Sequence, residues 1–372
     1  MKRIAIIGAS IGQRPICEKA KEMGLFTYCF AYDNGAVCKN VVDRFYPISI
    51  MDRDQIVNVC RKEHIEGVVS NASDLTAEVA AYVAEQLGLN GTSYDTLMSL
   101  HDKFHVRRLT QGIEELEQPL FYRYAGEDKG IYPCVIKPVG GSGERGVWFV
   151  QDGAGLTTAV AYASSQDADI IVEEYVEGKG LSVESLSYHG EHHVIQITDK
   201  DSSAAPHFVE LGHHQPAQLP IGIKDKITRI IPRILTKLGY TNGASHIELK
   251  YRKNQVYLIE VNLRGGGDDI SNKLVSMSSG IDYLRGMIEV ALNSFERVTH
   301  THQPCCAGIY YLCKQTADLL PFMEDAPHHS WFVEGKIDST ELIESTSNYE
   351  RNGYVIYQAS KKIIPTLKNK EK

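Results

Sequence analysis

The run from Ser245 to Asp268, SHIELKYRKNQVYLIEVNLRGGGD, carries period-two alternation on both sides of a short polar break, and that pattern specifies a hairpin. Glu260 and Asn262 share one face of the second strand, while Ile259 and Val261 point the other way. A loop of Lys253, Asn254 and Gln255, with Asn254 taking the left-handed conformation, pairs Arg252 with Val256 and so sets Glu248 opposite Glu260. Opposed strand residues hold their Cβ atoms roughly 4.5 to 5.5 Å apart, and like charges at that range are destabilising. A cation between them relieves the repulsion. A hard divalent ion held by one or two carboxylates, with phosphate oxygens completing an octahedron at about 2.0 to 2.1 Å, describes Mg²⁺. Glu248, Glu260 and Asn262 are its expected ligands, and Arg264 lies on the same side, ready for a phosphate or carboxylate. The competing account, an edge hairpin with its glutamates in water, is disfavoured by four polar residues converging from an apolar context.

Upstream, RIAIIGAS, a helix from about Arg14 to Met23, FTYCFAYD, GVVSN and a helix from about Asp74 to Leu87 read β-α-β-α, which specifies a parallel sheet. The turn from Gly8 through Ser10 to Gly12 can set backbone N–H groups and a helix N-terminus at an anion. Asp33, after the second strand, keeps an NAD-dependent dehydrogenase open, although the turn is G-x-x-x-G rather than G-x-G-x-x-G. A break near residues 90 to 103 leads into the strands PCVIKP and GVWFVQD, with GGSGERG between them. Lys137 ends the first of these strands, so its ammonium can reach phosphates while Gly140, Gly141 and Gly143 let backbone amides approach phosphate oxygens. An ordinary hairpin is the alternative there.

Glu248, followed twelve residues on by Glu260 and then by Asn262 and Arg264 in E-V-N-x-R, resembles the C-terminal signature of the ATP-grasp superfamily. The likeness is strongest to its carboxylate-amine ligases, with biotin carboxylase and carbamoyl phosphate synthetase as relatives. Asp102-Lys103, Ile136-Lys137-Pro138, the glycine loop, VEEYVEG from Val172 to Gly178 and Ser182-Val183-Glu184 stand in the matching order, so the resemblance covers roughly residues 1 to 300. It implies an α/β and α+β architecture: a Rossmann-like domain over 1–100, a small lid over 101–178, a large subdomain with the metal-binding hairpin over 179–300, and a small closing subdomain over 301–372. It further implies that ATP binds with one or two Mg²⁺ ions, Mn²⁺ being able to substitute. Lys103 and Lys137 then reach the phosphates, the backbone of Glu174 and Val176 meets the adenine edge, Glu173 receives the amino group, and Glu184 accepts a ribose hydroxyl. The implied reaction makes an acyl phosphate from a carboxylate and joins it to an amine, with Lys137 and Arg264 offsetting developing charge.

Gly8, Ser10, Gly266 and Asp268 are the candidates for contacting the small-molecule carboxylate and amine, amino acids among them, with Asp268 offering an anion to an amino group. Glu210, His213 and His214 sit in a stretch that resembles the E-x-G-H-x-x-P loop of amino-acid ligases and is a candidate acceptor pocket. A turn with a helix cap, and plain surface histidines, are the alternatives for these two segments. With 372 residues, a net charge of −8 and dispersed basic residues, the chain is not built for nucleic acid. Its first apolar run is too short for a signal peptide, no run approaches a membrane span, and the cysteines lack C-x-x-C spacing, so a cytoplasmic enzyme, possibly a homodimer, is expected. A bicarbonate-activating enzyme and a nucleotide-binding protein without ligase activity remain alongside the ligase.

Overall fold

The computed structural model describes residues 1–140 and 146–365, organised on three sheets. The first is parallel: β1 (Arg3–Ile7), β2 (Phe26–Phe30), β3 (Arg44–Tyr46) and β4 (Gly67–Val69), in the order β3-β2-β1-β4. Its strands are apolar on both faces because both faces are covered. Ala5 and Ile7 pack with α2 (Arg53–Lys62) and α3 (Asp74–Leu87). Ile4 and Ile6 pack with α1 (Arg14–Glu22) and also with Leu284, Met287 and Ile288, so this unit shares a core with the rest of the chain. The helix expected from Asp74 to Leu87 has those bounds: the Ser73 hydroxyl caps its start, and Gly88, at φ 65°, ends it.

The second sheet lies beyond the short strand β5 (Leu116–Glu117). It comprises β6 (Phe121–Arg123), β7 (Cys134–Pro138), β8 (Trp148–Val150) and β9 (Ile170–Glu174), antiparallel in the order β6-β9-β7-β8.

The third sheet has nine strands. It includes β5, β10 (Lys179–Tyr188), β11 (Glu191–Ser202), β12 (Glu210–Gln215), β13 (Gly243–Arg252), β14 (Gln255–Asn262), β15 (Cys306–Leu312), β16 (Phe332–Ile337) and β17 (Gly353–Ala359), in the order β16-β17-β15-β12-β11-β10-β13-β14-β5. The last three strands extend this sheet, because β15 pairs with β12 along Gly212–Gln215. One face of the sheet is apolar: Leu181, Val183, Ile247 and Leu249 pack under the helix Ile221–Lys237, which presents Ile223, Ile227, Ile230, Ile231 and Ile234. Period-two alternation therefore sends Ser182, Glu184, His246 and Glu248 to the opposite face.

Within the hairpin, Glu248 does face Glu260, but by a different route from the expected three-residue loop. Lys253 and Asn254, at φ 48° and 65°, form a two-residue turn that pairs Arg252 with Gln255. That register would set Glu248 against Ile259. Ile259 is instead an extra residue, a bulge between Leu258 and Glu260, and it restores the opposition of the two glutamates. Among the described residues, no helix is long and apolar enough to cross a membrane.

Candidate active site

The polar face of the large sheet gathers charge from five adjacent strands. Lys200 Nζ lies 2.6 Å from Glu248 Oε1 and 2.9 Å from Glu210 Oε1. Burial disfavours its charge, yet the two carboxylates outweigh that and hold the ammonium well above the usual lysine range. His246 Nδ1 bonds Glu184 Oε1, and its Nε2 lies 3.2 Å from Glu248 Oε1. Against burial, the Glu184 carboxylate is the main cause that pushes the imidazole up to about 9, with Glu248 adding to it. Glu248, half-buried with its side chain 25% exposed, is kept well below the carboxylate range, chiefly by Lys200 and then by His246. At the strand edge, Lys103 Nζ lies 3.8 Å from Glu260 Oε1.

Among the described residues no three His, Cys, Asp or Glu side chains form a metal-holding group. What the hairpin supplies is two opposed carboxylates, Glu248 and Glu260, with the Asn262 amide on the same face. These are hard oxygen donors in a number that suits Mg²⁺, which takes one or two carboxylates and completes its shell with phosphate and water. In donor chemistry the residues fit the ion.

Toward the second sheet, Arg107 and Lys137 converge on Glu173. Arg107 Nε donates to Oε1 at 2.6 Å, its Nη2 to Oε2 at 3.1 Å, and Lys137 Nζ to Oε2 at 2.9 Å. Arg107 also donates to the Leu258 and Ile259 carbonyls at 2.5 and 2.7 Å, tying the bulge of β14 to β9. Burial raises the Glu173 carboxyl, but the two cations overcome it and hold it down at about 2. Leu100, Lys103, Arg107, Glu173, Glu260 and Asn262 line a cavity of about 300 Å³ here.

On the far side of the hairpin, Arg264 Nε pairs with Asp74 Oδ1 at 2.9 Å, and Asp268 accepts a two-pronged contact from Arg351 at 3.0 and 2.7 Å. His213 and Arg351 hold the Asp268 carboxyl far below its usual range despite burial.

Residues 131–273 match the family described as an ATP-grasp domain. The chain carries an ATP-grasp domain. Over 233 residues, 60% of the chain, it is 27% identical to the arginine-specific carbamoyl phosphate synthase large chain of Bacillus subtilis, of which it covers 22%. The chain thus spans about a fifth of the length of the curated relatives it matches, pyruvate carboxylase of Aspergillus terreus being another. Its fold is similar to that of L-amino acid ligase from Bacillus licheniformis, with TM-score 0.78, 23% identity and coverage of 97% of this chain and 94% of that one. It is also similar to the biotin carboxylase domain of Hydrogenobacter thermophilus 2-oxoglutarate carboxylase, crystallised with MgADP and bicarbonate, with TM-score 0.73, 16% identity and coverage of 96% and 86%.

Several residues expected to contact the nucleotide have partners within the protein. Glu173 is engaged by Arg107 and Lys137. Glu184 is completely buried, its oxygens bonded to His246 and to the Gly266 N–H at 3.1 Å. The N–H of Glu174 donates to the Leu120 carbonyl at 2.7 Å, and Val176 is buried. The Gly140 N–H donates to Asp167 at 2.9 Å; Gly141 and Gly143 lie outside the described residues.

Gly266 is small for an internal reason. A Cβ there would stand 2.7 Å from His246 Nδ1. His213 and His214 split across the sheet, as adjacent strand residues must. His213 turns toward Asp268, with 3.6 Å between Nε2 and Oδ2. His214 turns to the other face, its Nδ1 3.1 Å from the Tyr357 hydroxyl, and so does not join the polar face. Around Gly8 and Ser10 the turn is closed on itself: the Gly8 N–H donates to Phe30 O, and the Ser10 N–H and hydroxyl both go to Gln13 Oε1. Asp33 pairs with Lys39 on the surface.

Lys200, His246, Arg107 and Arg351 are functional neighbours that the reading of the sequence passed over. Strand alternation contained the signal for the first two: once Glu248 is assigned inward, His246 two residues earlier shares its face. For Arg107 and Arg351 no local pattern existed, because each reaches across from a separate segment.

Proposed function

We propose that this chain is an ATP-dependent ligase that activates a carboxylate as an acyl phosphate and joins it to an amine, releasing ADP and phosphate. The observation that carries the reading is Glu248 set opposite Glu260, with Asn262 beside them and Lys103 and Lys200 flanking. Glu248, Glu260 and Asn262 are the residues to hold Mg²⁺, with Mn²⁺ as a substitute; the ion, when bound, neutralises the triphosphate so that an oxygen nucleophile can approach its terminal phosphorus. Lys103 then adds a cation at the Glu260 edge. Lys137, held by Glu173, presents its ammonium from the lid in a fixed orientation. Arg264, braced by Asp74, is the group to offset charge on the acyl phosphate and on the adduct formed when the amine attacks. Eight free cysteines support a reducing, cytoplasmic setting.

A screen of amino acids, small carboxylic acids and bicarbonate for substrate-dependent release of ADP and phosphate, with product masses read afterwards, tests the reading. The relationship to carbamoyl phosphate synthase and pyruvate carboxylase favours bicarbonate as the second reading, and turnover with bicarbonate alone would establish it. AMP as the nucleotide product would overturn acyl-phosphate chemistry.

A further inference from the structure

The segment before β17 inserts a charge into the polar face from outside the Glu248 hairpin. Arg351 donates to Asp268 through Nη1 and Nη2, donates through Nη1 to the Glu210 carbonyl at 3.3 Å, and stacks 3.6 Å from the centre of the Tyr311 ring. Two more bonds fix the frame: the Glu210 N–H donates to Asn348 Oδ1 at 2.9 Å, and the Tyr311 hydroxyl donates to the Asp268 carbonyl at 3.1 Å. Beside this pair stands His213, 1% exposed, whose two ring nitrogens both lack a hydrogen-bond partner. Asp268 Oδ2 stands 3.6 Å from its Nε2, just beyond hydrogen-bond range, and its buried Nδ1 is left for a polar group from a bound molecule. Room exists on the loop side, since a Cβ at Gly267 would meet nothing within 4 Å. Through Glu210 and Lys200 the cluster is continuous with Glu248, so a molecule held there lies along the face that carries the candidate nucleotide ligands.

Asp268 and Arg351 together offer one anion and one cation side by side, with a bidentate fork that matches a carboxylate. An α-amino acid is the mirror of that pair. Its carboxylate can take the guanidinium and its ammonium the Asp268 carboxylate, so one ion pair is exchanged for two without change of net charge. We propose that Arg351 is the carboxylate anchor of the amine substrate, and that this substrate is an α-amino acid bound as its zwitterion rather than ammonia or a simple alkylamine. The inference rests on the ligase reading above and names the amine class for that same site.

The test is a binding titration that needs no turnover. Protein saturated with Mg²⁺ and a non-hydrolysable ATP analogue is titrated with each of the protein L-amino acids, and the tightest is compared with its own carboxamide. The wild type is expected to prefer the acid by on the order of 10- to 100-fold, the worth of a charge-assisted bond. Arg351→Gln is expected to lose that preference, and Arg351→Lys to recover part of it, while both bind the ATP analogue as the wild type does, which certifies their folding. Wild-type preference for the acid in a folded Arg351→Gln protein overturns the assignment, as does failure of every amino acid to bind. Should the ligase reading fail instead, no donor acid releases ADP, yet the zwitterion preference and its dependence on Arg351 persist.

Discussion

Lys200 and Glu248 meet at 2.6 Å although a whole strand, β10, runs between theirs. On β10, Lys200 is in register with Gly180 and Glu248 with Ser182, two neighbours on one face with little side chain between them; the Ser182 hydroxyl is buried without a partner. The ammonium thus balances a carboxylate that the hairpin has already set against another carboxylate.

Replacing Lys200 with Met leaves the half-buried Glu248 with only His246 close by to balance it. Breaking a fully buried pair from one side costs about 3 to 5 kcal/mol, and the solvent that reaches Glu248 lowers the cost below that range. Urea unfolding without metal or nucleotide is expected to show a loss of about 1 to 3 kcal/mol. Added Mg²⁺ and ATP analogue should restore part of it, because a cation held by Glu248 replaces the missing charge; no recovery would count against Glu248 as a ligand.

Glu260 is less enclosed, its side chain 32% exposed, so Glu260→Gln is expected to fold normally. ADP release should fall by at least roughly 100-fold, in line with the several kcal/mol that a bound metal supplies. A coupled ADP assay beside a circular dichroism spectrum checks both halves, and near-normal turnover would remove the metal assignment.

The Glu173 carboxyl, held at about 2 in the folded protein against 4.5 for a glutamate free of these contacts, makes a pH-dependent contribution. A depressed folded value means stability that is complete above the unfolded value and lost as pH falls through the folded one. The contribution is on the order of 3 kcal/mol. The stability gap between wild type and Glu173→Gln, read from urea midpoints, should therefore be constant near neutrality and shrink between pH 4.5 and 2. A gap that does not change over that window would mean the Arg107 and Lys137 contacts contribute little.

Gly266→Ala places a methyl group 2.7 Å from His246 Nδ1 and 3.0 Å from Glu184 Oε1, both buried and bonded to each other. Neither can retreat cheaply. Thermal unfolding is expected to show about 1 to 3 kcal/mol of overpacking cost, and turnover should fall as the loop carrying Arg264 and Asp268 shifts. Gly267→Ala, with open space around it, should be nearly neutral in stability.

Much of this was legible in the residues. Alternation gave the inward face of β14, and the β-α-β-α order gave the parallel sheet, because period and punctuation are local properties. The two-residue turn and the Ile259 bulge were not legible, since two errors of one residue cancel in the pairing of Glu248 with Glu260. Sequence shows the carboxylates of Glu173 and Glu184 but not their partners, since Arg107 and His246 reach them from other elements. Pairing of β15 with β12 joins segments about ninety residues apart, a relation that no local pattern encodes.

The unpaired position at Ile259 is the one place where the hairpin can give up a residue without changing faces. Removing it would leave an unbroken ladder from the Lys253–Asn254 turn in which Glu260 still faces Glu248, whereas one residue added between Glu260 and Asn262 would turn Asn262 over to the isoleucine-rich underside beneath the long helix. A single deletion is therefore harmless to the pairing at the bulge, and an odd insertion is excluded beyond it.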